Sequence, residues 1–68
     1  MLGAEHPGTA LSLNNLASLC FYEGNLEDAA MLMRRALAIY ETILGPQHPD
    51  TRSSRKSLEV IETRLAAH

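Results

Sequence analysis

Two adjacent carboxamides, Asn14 and Asn15, are the residues of this 68-residue chain best equipped for recognition. A carboxamide both donates and accepts, so it can satisfy a peptide backbone whatever the side chains are. The competing use is structural: one amide bonds the backbone of a neighbouring helix. Three histidines, His6, His48 and His68, and a single cysteine, Cys20, raise metal and thiol chemistry. No histidine pair has the i, i+4 spacing that sets two ligands on one helix face. His6 and His48 each precede a proline in equivalent segments, and a helix-start role explains them more simply. Cys20 shares a helical face with Leu13 and Leu16, and a buried cysteine behaves as a small hydrophobe. Glu27-Asp28 reads as helix-start charge rather than an acid/base pair. There is no Gly-rich phosphate loop, Ser/His/Asp set or clustered carboxylate pair. We therefore expect no catalytic residue, no metal and no cofactor.

The totals narrow the setting. A chain this short forms at most one small domain, whose core seldom supplies more than roughly 3–5 kcal/mol. One cysteine allows no internal disulfide, which fits a reducing, intracellular and cytoplasmic location. At 46% hydrophobic and 21% charged residues, the composition argues for a folded helical protein over disorder. The net charge is −2, and Arg34, Arg35, Arg52, Arg55, Lys56 and Arg64 are too few and too dispersed for a nucleic-acid footprint. No apolar run approaches the ~18–20 residues of a membrane span, and no signal pattern opens the chain.

The strongest organising feature is a repeat. Leu2-Gly3-x-x-His6-Pro7-x-Thr9 returns as Leu44-Gly45-x-x-His48-Pro49-x-Thr51, an offset of 44 − 2 = 42 residues. Ser12/Ser54 and Leu16/Leu58 keep the register. A fixed period of this size marks a supersecondary unit that stacks on copies of itself, and such proteins mostly build binding surfaces. Met1 stands directly before the Leu2-Gly3 linker, which suggests an excised fragment of a longer array.

Three helices position these residues. The first runs from about Pro7 to Tyr22, since proline at the first helical position gives up an amide that has no intrahelical partner. Gly24-Asn25 breaks the pattern, and Asn25 is a good N-cap for a second helix reaching about Ile43, with Glu27 and Asp28 in its first turn. Gly45-Pro46 ends that helix. His48-Pro49-Asp50 starts a third, which runs toward Ala66. No segment alternates with period two, so the fold is all-α. At ~100° per residue, Leu13, Leu16, Ala17 and Cys20 share one face of the first helix, and Leu11, Asn14, Asn15, Ser18 and Tyr22 fall nearly opposite. In the second, Leu26, Ala29, Ala30, Met33, Ala36, Leu37, Tyr40 and Leu44 form a broad apolar face. Leu32, Ile39 and Ile43 widen it, as expected for a helix covered on more than one side. In the third only Ser54, Leu58, Ile61 and Leu65 line up.

Leu13-x-x-Leu16-Ala17-x-x-Cys20 and Ala29-x-x-x-Met33, with Gly24 at the turn and Ala36 beyond, resemble a tetratricopeptide repeat. The usual repeat is ~34 residues with a closing proline; here Glu41 takes that place and the helix continues. The longer period, Leu13-Asn14-Asn15-Leu16-Ala17, Arg35-Ala36-Leu37 and the Leu-Gly-x-x-His-Pro linker resemble the 42-residue variant of kinesin light chains and nephrocystin-like proteins. The resemblance implies an α-solenoid fragment: residues 1–6 an inter-repeat linker, 7–44 a complete antiparallel helix-turn-helix repeat, 45–49 a linker, and 50–68 a degenerate repeat serving as a C-terminal capping helix. The cap reading rests on Arg55, Glu59 and Glu62, which stand where Leu13, Ala17 and Cys20 stood, because unpaired charges are costly to bury.

The resemblance also places the first helix on a concave surface, where asparagines hold an extended peptide. The expected partner-binding residues are Leu11, Asn14, Asn15, Ser18 and Tyr22. Ser53, Lys56, Ser57, Val60 and Arg64 align with them in the third helix, and Lys56 and Arg64 would favour an acidic or carboxylate-ended ligand. The expected function is a non-catalytic protein-interaction module. The alternative is an end-cap or homo-oligomerisation element with no peptide ligand of its own. Phe21, Tyr22, Leu11 and Leu19 point toward association, by stacking of open ends or by exchange of a helix through the Gly45–Pro49 linker.

Overall fold

A computed structural model describes residues 7–67 and shows three helices: α1 (Pro7–Tyr22), α2 (Leu26–Ile43) and α3 (Pro49–Ala67). There is no strand among the described residues. The turn between α1 and α2 follows from one glycine. Gly24 has φ +85°, a left-handed conformation that costs a residue with a Cβ. Its amide donates to the Phe21 carbonyl at 3.1 Å, and the Asn25 amide donates to the Cys20 carbonyl at 2.8 Å. These two bonds satisfy carbonyls that the helix end would leave open, in the Schellman arrangement. Gly45, at φ +90°, follows the C-cap residue Leu44 of α2, but Pro46 after it has no amide to complete the same pair of bonds.

Asn25 does occupy the N-cap position of α2, but its side chain makes no capping bond. Its amide nitrogen instead donates to the Asp28 carboxylate at 2.8 Å. The cap of α3 is the histidine. His48 Nδ1 accepts from the Asp50 backbone amide at 3.1 Å, and the His48 carbonyl accepts the first helical bond from Arg52. The linker histidine thus starts a helix; His6 and His68 lie outside the described residues.

Helix α2 is central, with α1 on one side and α3 on the other. It buries Ala29, Ala30, Met33, Ala36, Ile39 and Tyr40. One cluster joins all three helices: Ala17 from α1, Ala29, Ala30 and Met33 from α2, and Ile61 from α3. Cys20, Phe21, Leu58 and Leu65 pack around it. A second cluster joins Ala10 to Ala36, Ile39 and Tyr40. The alanines let backbones approach closely, and Met33, 1% exposed, fills the junction. Its flexible thioether suits an irregular space.

One assignment needs correction. Leu16 does not share the buried side of α1 with Ala17; it is 48% exposed. It sits at the rim of the stripe, beside Ser12 and Leu19, where no other helix of this chain covers it.

The α2–α3 contact has a polar rim. Arg34 pairs with Glu62 at 3.1 Å, and Arg55 pairs with Glu41 at 3.3 Å. Arg55 also donates to the Pro46 carbonyl. Glu41, where the resembling family places its closing proline, is thus an anchor for α3. Beneath this rim Thr51 and Ser54 are buried, and neither hydroxyl has a hydrogen-bond partner.

Candidate functional site: a groove between α1 and α3

The last two turns of α1 and the middle of α3 flank the same stretch of α2, leaving a hollow of about 190 Å³. Ser18, Phe21 and Tyr22 form one wall, Ser57 and Val60 the other, with Met33 and Ile61 as the floor. The hollow is smaller than the ~300–1,000 Å³ of a typical small-molecule site. It suits one side chain of a larger ligand rather than a whole small ligand.

The rim is apolar and exposed. Tyr22 is 83% exposed and Val60 is 49% exposed. The Phe21 ring lies edge-on to Tyr22, with centroids 5.9 Å apart. The Arg64 guanidinium stands 5.3 Å from the Phe21 centroid. A cation over an aromatic face is held by the ring quadrupole. Arg64 makes no ion pair among the described residues.

The expected site residues separate into groups. Ser18 and Tyr22 line the groove, and Arg64 stands beside it over the Phe21 ring. Asn14 is one turn before Ser18 and half-buried; Asn15 and Leu11 are exposed on the same side of α1. Neither asparagine side chain has a hydrogen bond to another described residue. Lys56 is elsewhere. It lines a shallow depression with Pro49, Arg52, Ser53, Arg55 and Glu59, one turn of α3 before Val60 and only about 40° around the helix from it. Neither basic residue lines the hollow itself; Arg64 stands beside it over the Phe21 ring, and Lys56 lines the neighbouring depression.

Phe21 and Met33 were not among the expected site residues. Phe21 read as an apolar residue awaiting cover, and Met33 as core. Both do pack, yet each presents one edge to the groove. The signal that could have found Phe21 is Arg64, since an arginine and an aromatic on adjacent helices often pair.

No three His, Cys, Asp or Glu residues cluster as metal ligands among the described residues. Cys20 is a free, half-buried thiol beside the core. No helix of the described residues is long and apolar enough to cross a membrane.

Comparison with known proteins adds two findings. A family model described as a tetratricopeptide repeat matches residues 9–50. The clustered mitochondria protein homolog of Danio rerio is 38% identical over 50 residues, covering 74% of this chain. The chain matches only 4% of that protein's length. No solved structure gives a significant match.

Proposed function

This chain belongs to the tetratricopeptide repeat family, whose members are scaffolds for protein–protein interaction, and from that premise we propose that the α1–α3 groove holds an extended segment of a partner protein. The observation that carries the reading is the groove itself. An apolar hollow of side-chain size, walled by exposed Tyr22 and Val60, opens beside an unpaired guanidinium. The ligand it fits has an apolar side chain for the hollow and a carboxylate near Arg64. Asn14 and Asn15 continue the track toward the start of α1, and their free carboxamides suit a passing peptide backbone. Leu11 adds an apolar contact one turn further on. Lys56 lies off this track and serves at most an acidic flank. The module performs no chemistry in this reading; it holds a partner.

The test is selection of peptides from a random library, followed by affinity measurement on variants. Tyr22→Ala and Arg64→Glu should each weaken the selected peptides at least tenfold, about 1.4 kcal/mol, and Asn14→Ala or Asn15→Ala should weaken them less. Peptides indifferent to both groove variants would refute the assignment.

A second reading has its own support. Arg55, Glu59 and Glu62 occupy the positions in α3 that Leu13, Ala17 and Cys20 occupy in α1, at the 42-residue offset. Two of the three are exposed, and Arg55 is held by Glu41. A helix with that outer face closes a stack, so the segment also serves as the end of an array.

A further inference from the structure

Among the described residues, each lysine or arginine that has a partner is held by an acid, except one. Arg34 is held by Glu62 at 3.1 Å, and Arg55 by Glu41 at 3.3 Å together with the Pro46 carbonyl. Arg35, Arg52 and Lys56 are exposed and have no ion pair among the described residues. Arg64 has no ion pair or side-chain hydrogen bond among them either, yet it is held. Its guanidinium carbon stands 5.3 Å from the Phe21 ring centroid, inside the ~6 Å reach of a cation–π contact. The two kinds of restraint differ chemically. A carboxylate occupies guanidinium donors and cancels the charge, whereas a ring attracts the cation through its quadrupole and does neither. Arg64 is therefore fixed and still fully charged.

The ring that holds it is itself anchored. Phe21 is half-buried, packs against the Met33 cluster, and meets Tyr22 edge-on with centroids 5.9 Å apart. Its carbonyl accepts from the Gly24 amide at 3.1 Å in the turn that closes α1. Phe21 also walls the hollow. Helices α1 and α3 each pack on α2 and hardly on each other, so this one ring ties the apolar hollow to a cation carried by the opposite helix.

We propose, taking the groove as the peptide site, that Phe21 is a positioning residue: its ring holds the Arg64 guanidinium at a set distance from the hollow, so that the groove prefers a segment with a carboxylate close to the apolar side chain that fills the hollow. An arginine loose in solvent loses rotamer freedom when it meets a carboxylate, and that loss weakens binding. At Arg64 the loss is taken on folding, and its planar fork is in place before a partner arrives. Arg52 and Lys56, exposed and unheld, attract any acidic segment but set no spacing.

The experiment uses two peptides: one selected from a random library on the wild-type protein, and its twin with every carboxylate, the terminus included, converted to the amide. Affinities for wild type, Phe21→Leu and Phe21→Tyr are measured by calorimetry. Because Phe21 walls the hollow, its loss weakens both peptides; the acid-to-amide ratio isolates the part that acts through Arg64. The wild type should prefer the acid peptide by roughly tenfold or more. Phe21→Leu should cut that preference about fivefold, and Phe21→Tyr, which restores a ring, should retain it. An undiminished preference in Phe21→Leu overturns the positioning role while leaving the groove as the carboxylate site. A wild type with no preference overturns the carboxylate reading of the groove and the role of Phe21 with it. A second measurement needs neither peptide nor variant. In the free wild-type protein, nitrogen relaxation should show the Arg64 Nε–H group clearly more ordered than those of Arg35 and Arg52; equal mobility overturns the proposal.

Discussion

Replacing Ser54 with alanine should stabilise this protein, and the repeat supplies its own control. The Ser54 hydroxyl is buried between α3 and α2 with no partner. Leaving a buried hydroxyl unpaired costs roughly 1–3 kcal/mol. Removing the oxygen recovers that cost but forfeits its packing contacts, at about 0.1–0.2 kcal/mol for each atom pair. Alanine also gains about 0.5 kcal/mol over serine in helix propensity. Ser12 holds the same register in α1 and is exposed, so Ser12→Ala carries the propensity gain without the burial effect. Subtracting the two variants cancels the propensity and leaves a net of about 1–2 kcal/mol from relief of the unpaired hydroxyl. For a chain of this size about 1 kcal/mol moves Tm by roughly 4–8 °C, well within reach of thermal unfolding followed by circular dichroism at low concentration. Should Ser54→Ala prove no more stable than Ser12→Ala, the hydroxyl has a partner on the preceding turn, and the account of a dry, unpaired α3 seat is wrong.

Three further outcomes follow from the packing. Met33→Ala removes the side chain at the three-helix junction and should cost about 2–5 kcal/mol, enough to unfold much of so small a domain, as read by urea unfolding. His48→Ala deletes the acceptor for the Asp50 amide and should cost about 1 kcal/mol, whereas Asn25→Ala, whose side chain caps nothing, should cost clearly less; paired urea midpoints decide. Burial, reinforced by the Asp50 charge, raises the Tyr40 phenol above its ordinary pKa of 10.0. The unfolded chain therefore loses this proton first: Tyr40's contribution is fully present below about pH 10 and is lost as pH rises through the folded value. Stability should fall on the alkaline side, and Tyr40→Phe should flatten that slope in unfolding curves taken on both sides of pH 10.

Much of this architecture is legible from punctuation and period. Gly24 and Gly45 mark where the chain needs a left-handed residue, and Pro7 and Pro49 mark where a helix can begin, so the helices can be placed without coordinates. The breadth of the α2 stripe likewise announces a helix with neighbours on two sides. Rotation within a stripe is harder to read. Leu16 is as apolar as Leu13, and sequence alone does not say that one faces α2 while the other faces away. The cap of α2 misleads for a related reason: Asn25 has the right chemistry for a backbone bond, but Asp28, three residues on, offers its amide a charged acceptor. The groove was half legible. Ser18, Tyr22 and Arg64 were expected to share a surface, but the reach of Arg64 across to Phe21 depends on how α3 is rotated on α2, and Lys56 falls outside the hollow because it lies one turn earlier along α3. That rotation is set by Ile61 and the two ion pairs, which are contacts between residues 28 and 14 positions apart in the case of the pairs, and no local pattern encodes them.

The cap that His48 provides has a consequence for how such a chain can lengthen. Residues 7–48 make up one whole period, 48 − 7 + 1 = 42, beginning at the proline that opens α1 and ending on the histidine that caps α3. A duplicate of that segment inserted between His48 and Pro49 would enter with its own first helix already capped by His48 and leave with its own histidine to cap α3. Its first helix would meet α2 through copies of Thr9, Ser12, Leu16 and Leu19, the counterparts of Thr51, Ser54, Leu58 and Ile61 seated there now, and α3 would meet the duplicate's second helix through copies of Glu41 and Arg34. The seat on α2 would be kept, and only the rim ion pairs of the original Glu41 and Arg34 would be given up. Growth by duplication is therefore least disruptive at one peptide bond in this chain, the one before Pro49.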